Sequence, residues 1–501
     1  MASFVRKVPT ASGARAVQVV HKQGRAVVGI EHIGSAHDEA RLAVLVEIAR
    51  QRLHPGQESF DLAAGSSPAG AGVGAPITST RSRLLWDTLT SAYAALGFEV
   101  MGDEAFRAMV LARIIEPTSK ADSLRVLEEI GAPHPSLRTL FRALQRCQER
   151  EYRDQLAKAC VGHSSRTSGL AAMVMYDVTT LHFEADDEDD LRKVGMSKEH
   201  RVDPQVQVGL LVDPGGFPLE VHLFEGNKGE TKTLIPVLTQ FQQRHGVTDM
   251  VVVADAGMLS AANLNALEDD GFKFIVGSRL TKAPYDLADH FERHGNYFTD
   301  GQILESTRVM GRGADARQRR IVYQWTFKRQ KRDDRTINAQ IAKAEKVATG
   351  GAPLKKTRFL KVTGAAKELD QATIDRARQL AGLKGYVTNL PIETMTGTGV
   401  ISAYHDLWQV EASFRMTKSD LRARPVFHHR RESIEAHLTV VFAALAITRY
   451  LTALSGVSIK KIVQTLRTVR SATIEINGQQ LTLEPKIPAH AQAILGAIRG
   501  H

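Results

Sequence analysis

The spacing of hydrophobic and polar positions changes period several times along the 501 residues. Residues 16 to 33 (AVQVVHKQGRAVVGIEHI) alternate on either side of a Lys-Gln-Gly-Arg turn, which predicts a hairpin, and a helical period follows near 37 to 53. Residues 63 to 80 are rich in Ala, Gly, Ser and Pro, too few bulky side chains to offset ordering entropy, and read as linker. From about 84 to 162 the period is helical; Ser119 to Ile130 and Ser136 to Arg150, with Ser136 as N-cap, flank a break at Ala-Pro-His-Pro. Such a pair is either a helix-turn-helix or an ordinary helical hairpin packed on a core.

Between 170 and 280 the pattern becomes apolar and short-ranged. Leu170 to Val178 reads as a strand covered on both faces, followed by strands at Val206 to Val212 and Leu219 to Phe224. A helix near Thr233 to Arg244, a strand at Met250 to Ala254, a helix capped by Ser260 and a strand at Phe272 to Val276 complete the run. Residues 281 to 399 interrupt this with a basic, irregular region that includes strand-like RRIVYQWTF, a polar helical stretch from Arg335 to Ala348, and GYVTNL at Gly385 to Leu390. Helical periodicity returns from Ala403 to Leu454, and an Asn477-Gly478 turn predicts a last hairpin. The expected organisation is a hairpin-helix module (1–60), a linker (61–83), a helical region suited to DNA (84–168), an α/β core split between 169–280 and 400–455, an inserted subdomain (281–399) and a tail (456–501).

Composition narrows the function. A hydrophobic fraction of 43% with 24% charged residues is that of a globular protein rather than a disordered chain. The net charge of +10 favours a polyanionic partner, since each phosphate neutralised by Lys or Arg releases condensed counterions. Cys147 and Cys160 have neither disulfide nor zinc-site spacing, which fits a reducing cytosol. No apolar segment follows the basic N-terminal residues, and the longest apolar run, Leu438 to Thr448, is shorter than the ~20 residues of a span, so no membrane is expected.

Three carboxylates carry the chemistry. Asp177 stands inside an apolar strand, where an ionised group costs several kcal/mol unless it is paired or bound to a cation. Asp255 follows Met-Val-Val-Val-Ala at the C-terminal end of a buried strand, the edge where open α/β sheets assemble their sites. Glu411 lies in AYHDLWQVEASFRMTKSDL; at about 100° per residue, Tyr404, Trp408, Glu411, Arg415 and Lys418 share one helical face. Singly, each acid also fits a turn or a solvated face, with Glu411 pairing Arg415. Together, in this order of strands and helices, they match the RNase H-like arrangement, in which the two Asp-bearing strands are neighbours. Converging carboxylates repel unless a divalent cation is present.

The chain resembles the bacterial insertion-sequence transposases of the DDE class, in the branch with a Tyr-Arg-Glu-Lys signature and a β-rich insertion before the Glu. The spacing Y-x2-R-x3-E-x6-K is met by Tyr404, Leu407, Glu411 and Lys418; YDVTTLHFE around Asp177, FEGN near Asn227, VADAGMLS around Asp255 and ARIIEPTSK in the helical region extend it. The resemblance implies an RNase H-like mixed-sheet core with an inserted subdomain. It implies Asp177, Asp255 and Glu411 as catalytic residues holding two Mg²⁺ (or Mn²⁺) ions, and phosphoryl transfer on double-stranded DNA, both terminal inverted repeats and target. A homodimer on paired ends and a bacterial nucleoid location follow from it too. Tyr404, Arg415 and Lys418 would then hold phosphates, and Lys198 in GMSKEH would contact DNA. Leu407 departs from the pattern, standing where the signature has Arg, and Arg415 is the nearest substitute. Trp325 is a candidate for stacking on an unpaired base, with a core tryptophan as the alternative. The acidic run Ala185 to Asp190 reads as a solvated loop, and His200, His428 and His429 carry no assignment. Two other classes are a non-catalytic DNA-binding protein descended from a transposase and a two-carboxylate glycosidase. An aromatic content of only 6% and the basic charge disfavour the glycosidase.

Overall fold

The computed structural model describes all residues except 1, 11–14, 25, 37–41, 43–44, 47, 50–51, 54–76, 169–172, 185–186, 196–201, 230–231, 248, 257–259, 279, 281–284, 354–356, 364–365, 477–478 and 501. Met1–Gly74 and Ala75–His501 form separate compact units. In the first, β1 (Ala2–Pro9), β2 (Arg15–Gln23) and β3 (Ala26–Ala36) pair antiparallel, and the predicted hairpin is β2–β3, with Gly24 at φ +63° in its turn. Val17, Val19, Leu42 and Ala49 close its small core. The helix expected near 37 to 53 falls mostly outside the described residues.

The second unit opens with β4 (Ile77–Arg81) and five helices: α1 (Arg83–Ala95), α2 (Glu104–Ile115), α3 (Lys120–Glu129), α4 (Leu137–Glu149) and α5 (Tyr152–Ser168). Capping side chains set three of the starts, Asp103 for α2, Ser119 for α3 and Ser136 for α4. The α/β run follows in the predicted order: β5 (Met173–His182), β6 (Gln205–Val212), β7 (Pro218–Glu225), α6 (Leu234–His245), β8 (Val251–Ala254), α7 (Ala261–Asp269) and β9 (Lys273–Ser278). Next come α8 (Ala288–His294), β10 (Ile303–Met310), β11 (Arg317–Trp325), α9 (Phe327–Ala348), β12 (Leu360–Thr363), β13 (Ala366–Leu369), α10 (Gln371–Gln379) and β14 (Leu383–Thr388). The chain ends with α11 (Gly397–His405), α12 (Trp408–Ser419), α13 (Arg431–Ser455), α14 (Ile459–Arg467), β15 (Ser471–Ile476), β16 (Gln479–Leu483) and α15 (Ala489–Arg499).

One eight-stranded sheet organises this unit, in the order β10-β11-β14-β9-β8-β5-β6-β7. β5, β6 and β7 meander antiparallel, while β8 and β9 run parallel to β5. The five strands from β9 to β7 thus have the RNase H-like order, with the two Asp-bearing strands adjacent. Alternation along each strand sends Met175, Val253 and Ile275 to one face, against the helices α11 to α13, and Tyr176, Val252 and Phe274 to the other, against Leu238 and Phe241 of α6 and Leu264 of α7.

Three expected boundaries differ. The inserted region is not a free-standing subdomain: β14 pairs with β9, and β11 and β10 follow it, so the basic strand RRIVYQWTF extends the main sheet. An exposed β9 edge would leave a row of unpaired N–H and C=O groups, and antiparallel addition satisfies them. Only α9, α10 and the β12–β13 hairpin build a separate core, around Ile337, Phe359 and Ile374. The end of the expected linker is β4, paired with β15. The expected tail supplies Ile462, Leu466, Ile494 and Leu495 to the largest core. The β15–β16 pairing stands as predicted, although its Asn477-Gly478 turn lies outside the described residues.

α13 has 25 residues, and its most apolar 18-residue window has a mean hydropathy of 1.6, long and apolar enough to cross a membrane. That window is 67% buried inside the protein, the position of a central core helix.

A buried ion network ties the outer strand to its helix. Glu220 on β7, 1% exposed, accepts from Arg244 at 2.7 Å and lies 2.8 Å from both His222 and His245. Burial alone would raise its carboxyl, but the hydrogen bonds from His222 and His245 and the Arg244 charge hold it at about 2. Its stabilising contribution is therefore complete above the ordinary glutamate value and is lost as pH falls towards 2. Glu220→Gln should lower stability at neutral pH by about 3 kcal/mol, and the difference from the parent should shrink when denaturant melts are repeated towards pH 3.

Candidate active site

The register of two parallel strands sets the site. Tyr176 on β5 pairs with Ala254 on β8, so the next residues, Asp177 and Asp255, occupy matching positions on neighbouring strands. Adjacent strands are about 5 Å apart, which fixes the separation of the two α-carbons. Both residues follow the parity of Met175 and Val253 and so belong to the face covered by α11, α12 and α13. Asp177 is half-buried, and its Oδ1 accepts the Val178 N–H at 2.8 Å. Asp255, just past the end of β8, is more open; its Oδ1 accepts the Ala256 N–H at 2.7 Å and the Tyr404 phenol at 2.8 Å.

Tyr404 reaches Asp255 from α11, not from the helix that carries Glu411. The single helical face expected for Tyr404, Trp408, Glu411, Arg415 and Lys418 is broken at Asp406–Leu407. There, backbone bonds of the i→i+3 type (Leu407 to Tyr404, Gln409 to Asp406, Val410 to Leu407) replace the α-helical ladder. Leu407, in the signature's Arg position, is 8% exposed and packs in the main core. Past the break, α12 packs on β5 and β6 and carries Glu411 in its first turn. Glu411 and Arg415 are exposed, no ion pair joins them, and Lys418 is half-buried. Trp408 is also exposed, at 55%.

Trp325 does not belong to the site. It is 7% exposed, its indole N–H donates to the Ala381 carbonyl at 3.0 Å, and its ring stacks on Phe298. Stacking on a base would break that hydrogen bond and empty a core position, so the core role is the one the structure shows. Lys198 lies outside the described residues.

Several site residues carried no local signal in sequence. Gly277 on β9 is the floor under Tyr404, since a Cβ there would lie 2.5 Å from the Tyr404 hydroxyl. Lys384 on β14 holds its ammonium 5.1 Å above the Tyr404 ring and 6.0 Å from that of Tyr386. Burial and then the like charge of Arg329 push the Lys384 amine below its ordinary value, while Asp255 acts the other way. The Tyr404 phenol is raised, first by burial and then by its bond to Asp255, so it remains a donor at any ordinary pH. Beside this pair opens a cavity of about 730 Å³ lined by Lys328, Arg329, Lys331, Arg332, Arg335 and Lys384, with Asp300 as its one acid. Five of these cations come from the first turns of α9. They sit 73 or more residues from Asp255 in sequence, and only the addition of β11 and β14 to the sheet brings them alongside.

The donors of Asp177, Asp255 and Tyr404 are carboxylate and phenol oxygens, a hard set that suits a divalent cation such as Mg²⁺, which takes one or two carboxylates and fills its remaining positions with water and substrate phosphate. Among the described residues, no three His, Cys, Asp or Glu side chains stand close enough together to hold a metal ion. Asp177 and Asp255 are neighbours through the β5–β8 register, and they form no three-residue ligand group with Glu411.

A mixed sheet with two acids at matching positions of neighbouring parallel strands, roofed by helices that carry a third, defines an RNase H-like core of the polynucleotidyl-transferase kind. The transposase DDE domain matches residues 171–447, more than half of the chain, and the protein belongs to that family. It is a DDE transposase, an enzyme class that generally works with divalent metal ions. No curated protein matches the sequence significantly. Among solved structures it is similar to a piggyBac transposase synaptic complex with hairpin DNA, at 10% identity and a TM-score of 0.37, over 75% of this chain and 70% of that one. So loose a likeness adds nothing to the family match.

Gly277→Ala should push the Tyr404 ring off Asp255, and Tyr404→Phe should delete the hydrogen bond without moving the backbone. Both are expected to slow DNA cleavage by on the order of tenfold, the size of one lost hydrogen bond. The check is single-turnover cleavage at saturating DNA, where the two variants should agree.

Proposed function

We propose that this transposase cuts DNA at the terminal inverted repeats of an insertion sequence and joins the freed ends to target DNA. The observation that carries the reading is the β5–β8 register, which sets Asp177 and Asp255 side by side under Tyr404. On this reading Asp177, Asp255 and Glu411 would hold two Mg²⁺ ions, with Mn²⁺ as a substitute. The ions, when bound, supply an activated water or 3′-hydroxyl and stabilise the leaving oxygen.

The protein's own residues position the substrate. Tyr404 holds the Asp255 carboxylate in one orientation, which fixes that ligand before DNA binds. Lys384, Arg329 and Arg332 line the cavity beside that carboxylate and offer donors to strand phosphates. Lys384 takes over the part the signature gives to an Arg at the Leu407 position: it supplies a cation within reach of Tyr404 from a different strand. Arg415 and Lys418 continue the phosphate contacts along α12, and Lys198 is assigned to DNA through the family resemblance.

Two copies act on paired ends, in the cytoplasm on nucleoid DNA, where the free, buried thiols of Cys147 and Cys160 meet no oxidant. The second reading, a DNA-binding protein without catalysis, gains support only from Leu407. The two differ in a cleavage assay with duplex carrying the element's own ends and Mg²⁺. Asp177→Asn and Glu411→Gln should keep DNA affinity within about twofold while cleavage falls by roughly a hundred- to a thousandfold. Undiminished cleavage by either variant would remove that residue from the mechanism, and a parent protein that binds ends yet never nicks them would establish the second reading.

A further inference from the structure

The ARIIEPTSK segment, which the chemistry at the carboxylates does not use, closes a second basic pocket at the far end of α12. The segment ends α2 and starts α3. Opposite it lies the stretch that follows α12, where the Val426 N–H donates to the His182 carbonyl at 3.1 Å and fastens the chain to the end of β5. Between them is a cavity of about 670 Å³ lined by Arg113, Lys120, Arg422, Arg424, His428 and His437. No Asp or Glu is among its lining residues.

Four of these side chains, Arg113, Lys120, Arg422 and Arg424, are cationic groups. Arg113 is 8% exposed; one amino group donates at 2.9 Å to the Leu421 carbonyl and at 3.2 Å to that of Arg422. Its position is therefore fixed by backbone, and no carboxylate is spent on it. The Lys120 ammonium touches the His428 imidazole. Burial first, and then the charge of Arg113, brings the Lys120 amine down to about 7. His428 is lowered to about 4 by burial, with Lys120, Arg113 and His429 adding to the effect. His437, 5% exposed, is lowered by burial and the same neighbours. Every charge acting on these three groups is positive. Arg113 and Lys120 are buried with no acid among the residues that line the pocket, a costly arrangement for charged groups that an anion entering from solvent would relieve. The start of α3 also lies in the lining (Ser119, Lys120), so its N-terminal partial charge has the sign an anion needs.

The surroundings indicate which anion. Phe427 is 72% exposed and Phe141 is 50% exposed, both at the rim of the pocket. Phe141 lies on the outward face of α4 between exposed Arg138 and Arg142, on the second helix of the pair that sequence reads as a candidate helix-turn-helix. Basic and aromatic side chains on one open surface are a nucleic-acid footprint more than a small-metabolite one. α12 runs about 12 Å from Glu411 to its end at Ser419, and the pocket begins three residues beyond. A duplex with its scissile phosphate at the carboxylates would present phosphates here on the order of five base pairs away.

We propose that the pocket formed by Arg113, Lys120, Arg422 and His428 binds a backbone phosphate of the duplex on which this transposase acts, anchoring the DNA away from the cleavage point. This rests on the transposase reading and adds to it a second DNA contact.

The test uses the full-length protein and a fluorescent 40-base-pair duplex carrying one terminal repeat, with affinity measured across a range of salt. Lys120→Gln should weaken binding about tenfold and reduce the slope of log affinity against log salt by about one, the signature of one lost phosphate contact. Lys120→Arg should restore most of both. Phe427→Ala, at an exposed position that the fold does not need, should weaken binding without altering the slope. An unaltered slope and affinity in Lys120→Gln would overturn the proposal while leaving the transposase reading intact, whereas a parent protein that fails to bind the duplex would sink that reading instead. Inorganic phosphate is the competing source: if it raises the melting temperature of the parent but not of Lys120→Gln, and the DNA slope is the same in both, the pocket is a free-phosphate site and the proposal is wrong.

Discussion

The parallel pairing of β5 with β8 is the constraint on which the rest of the catalytic unit depends, because a one-residue slip would send one aspartate to the opposite face. In the observed register Asp177 and Asp255 stand together on the face that α11 to α13 cover. Two like charges about 5 Å apart, the spacing of neighbouring strands, would repel by about 3 kcal/mol at an effective dielectric of about 20. Backbone N–H groups and the Tyr404 phenol offset part of this. Strands locked by buried Val, Tyr and Phe on both faces keep the pair from relaxing apart. The core thus holds the two acids in an arrangement that a divalent cation would stabilise.

Positive charge is distributed around that pair by topology more than by local sequence. The strands β14 and β11 lie beyond β9 and bring Lys384 and the start of α9 beside Asp255. Leu407 is a core residue, and the cation over the Tyr404 ring comes from β14. At the other end of α12, Arg113 and Lys120 arrive from the helical region and meet His428. Cationic cavities therefore sit at both ends of the helix that carries Glu411, and the far one joins Lys120 to His428, 308 residues apart in the chain.

Much of the central sheet was legible from sequence because its strands are short apolar runs bounded by turn residues and Ser260 caps the helix between β8 and β9. The order from β5 to β9 follows from that pattern alone, as do the positions of Asp177 inside one strand and Asp255 at the end of another. What could not be read was association. RRIVYQWTF looks like a strand, but nothing in its pattern says that it joins the sheet of β9, and so the insertion was expected to stand apart. The break at Asp406–Leu407 was hidden because no Pro or Gly marks it; Tyr404 was placed with Glu411 on a helical face that does not exist as one piece. Trp325 illustrates the opposite difficulty, since an aromatic in a basic stretch suggests a ligand platform until its indole N–H is found bonded inside the core. Lys384, Gly277 and the Lys120 pocket depend on contacts between distant segments, for which a single sequence holds no periodic signal.

Whether Asp177 and Asp255 together make a divalent-cation site is open to direct measurement without any DNA substrate. Mn²⁺ titrated into the full-length protein, followed by the loss of its free-ion paramagnetic resonance signal, should show a bound ion in the parent. Binding should be lost in Asp177→Asn and in Asp255→Asn, and weakened but retained in Glu411→Gln, which lies outside the preformed pair. Equal Mn²⁺ binding by the parent and both aspartate variants would contradict the central claim.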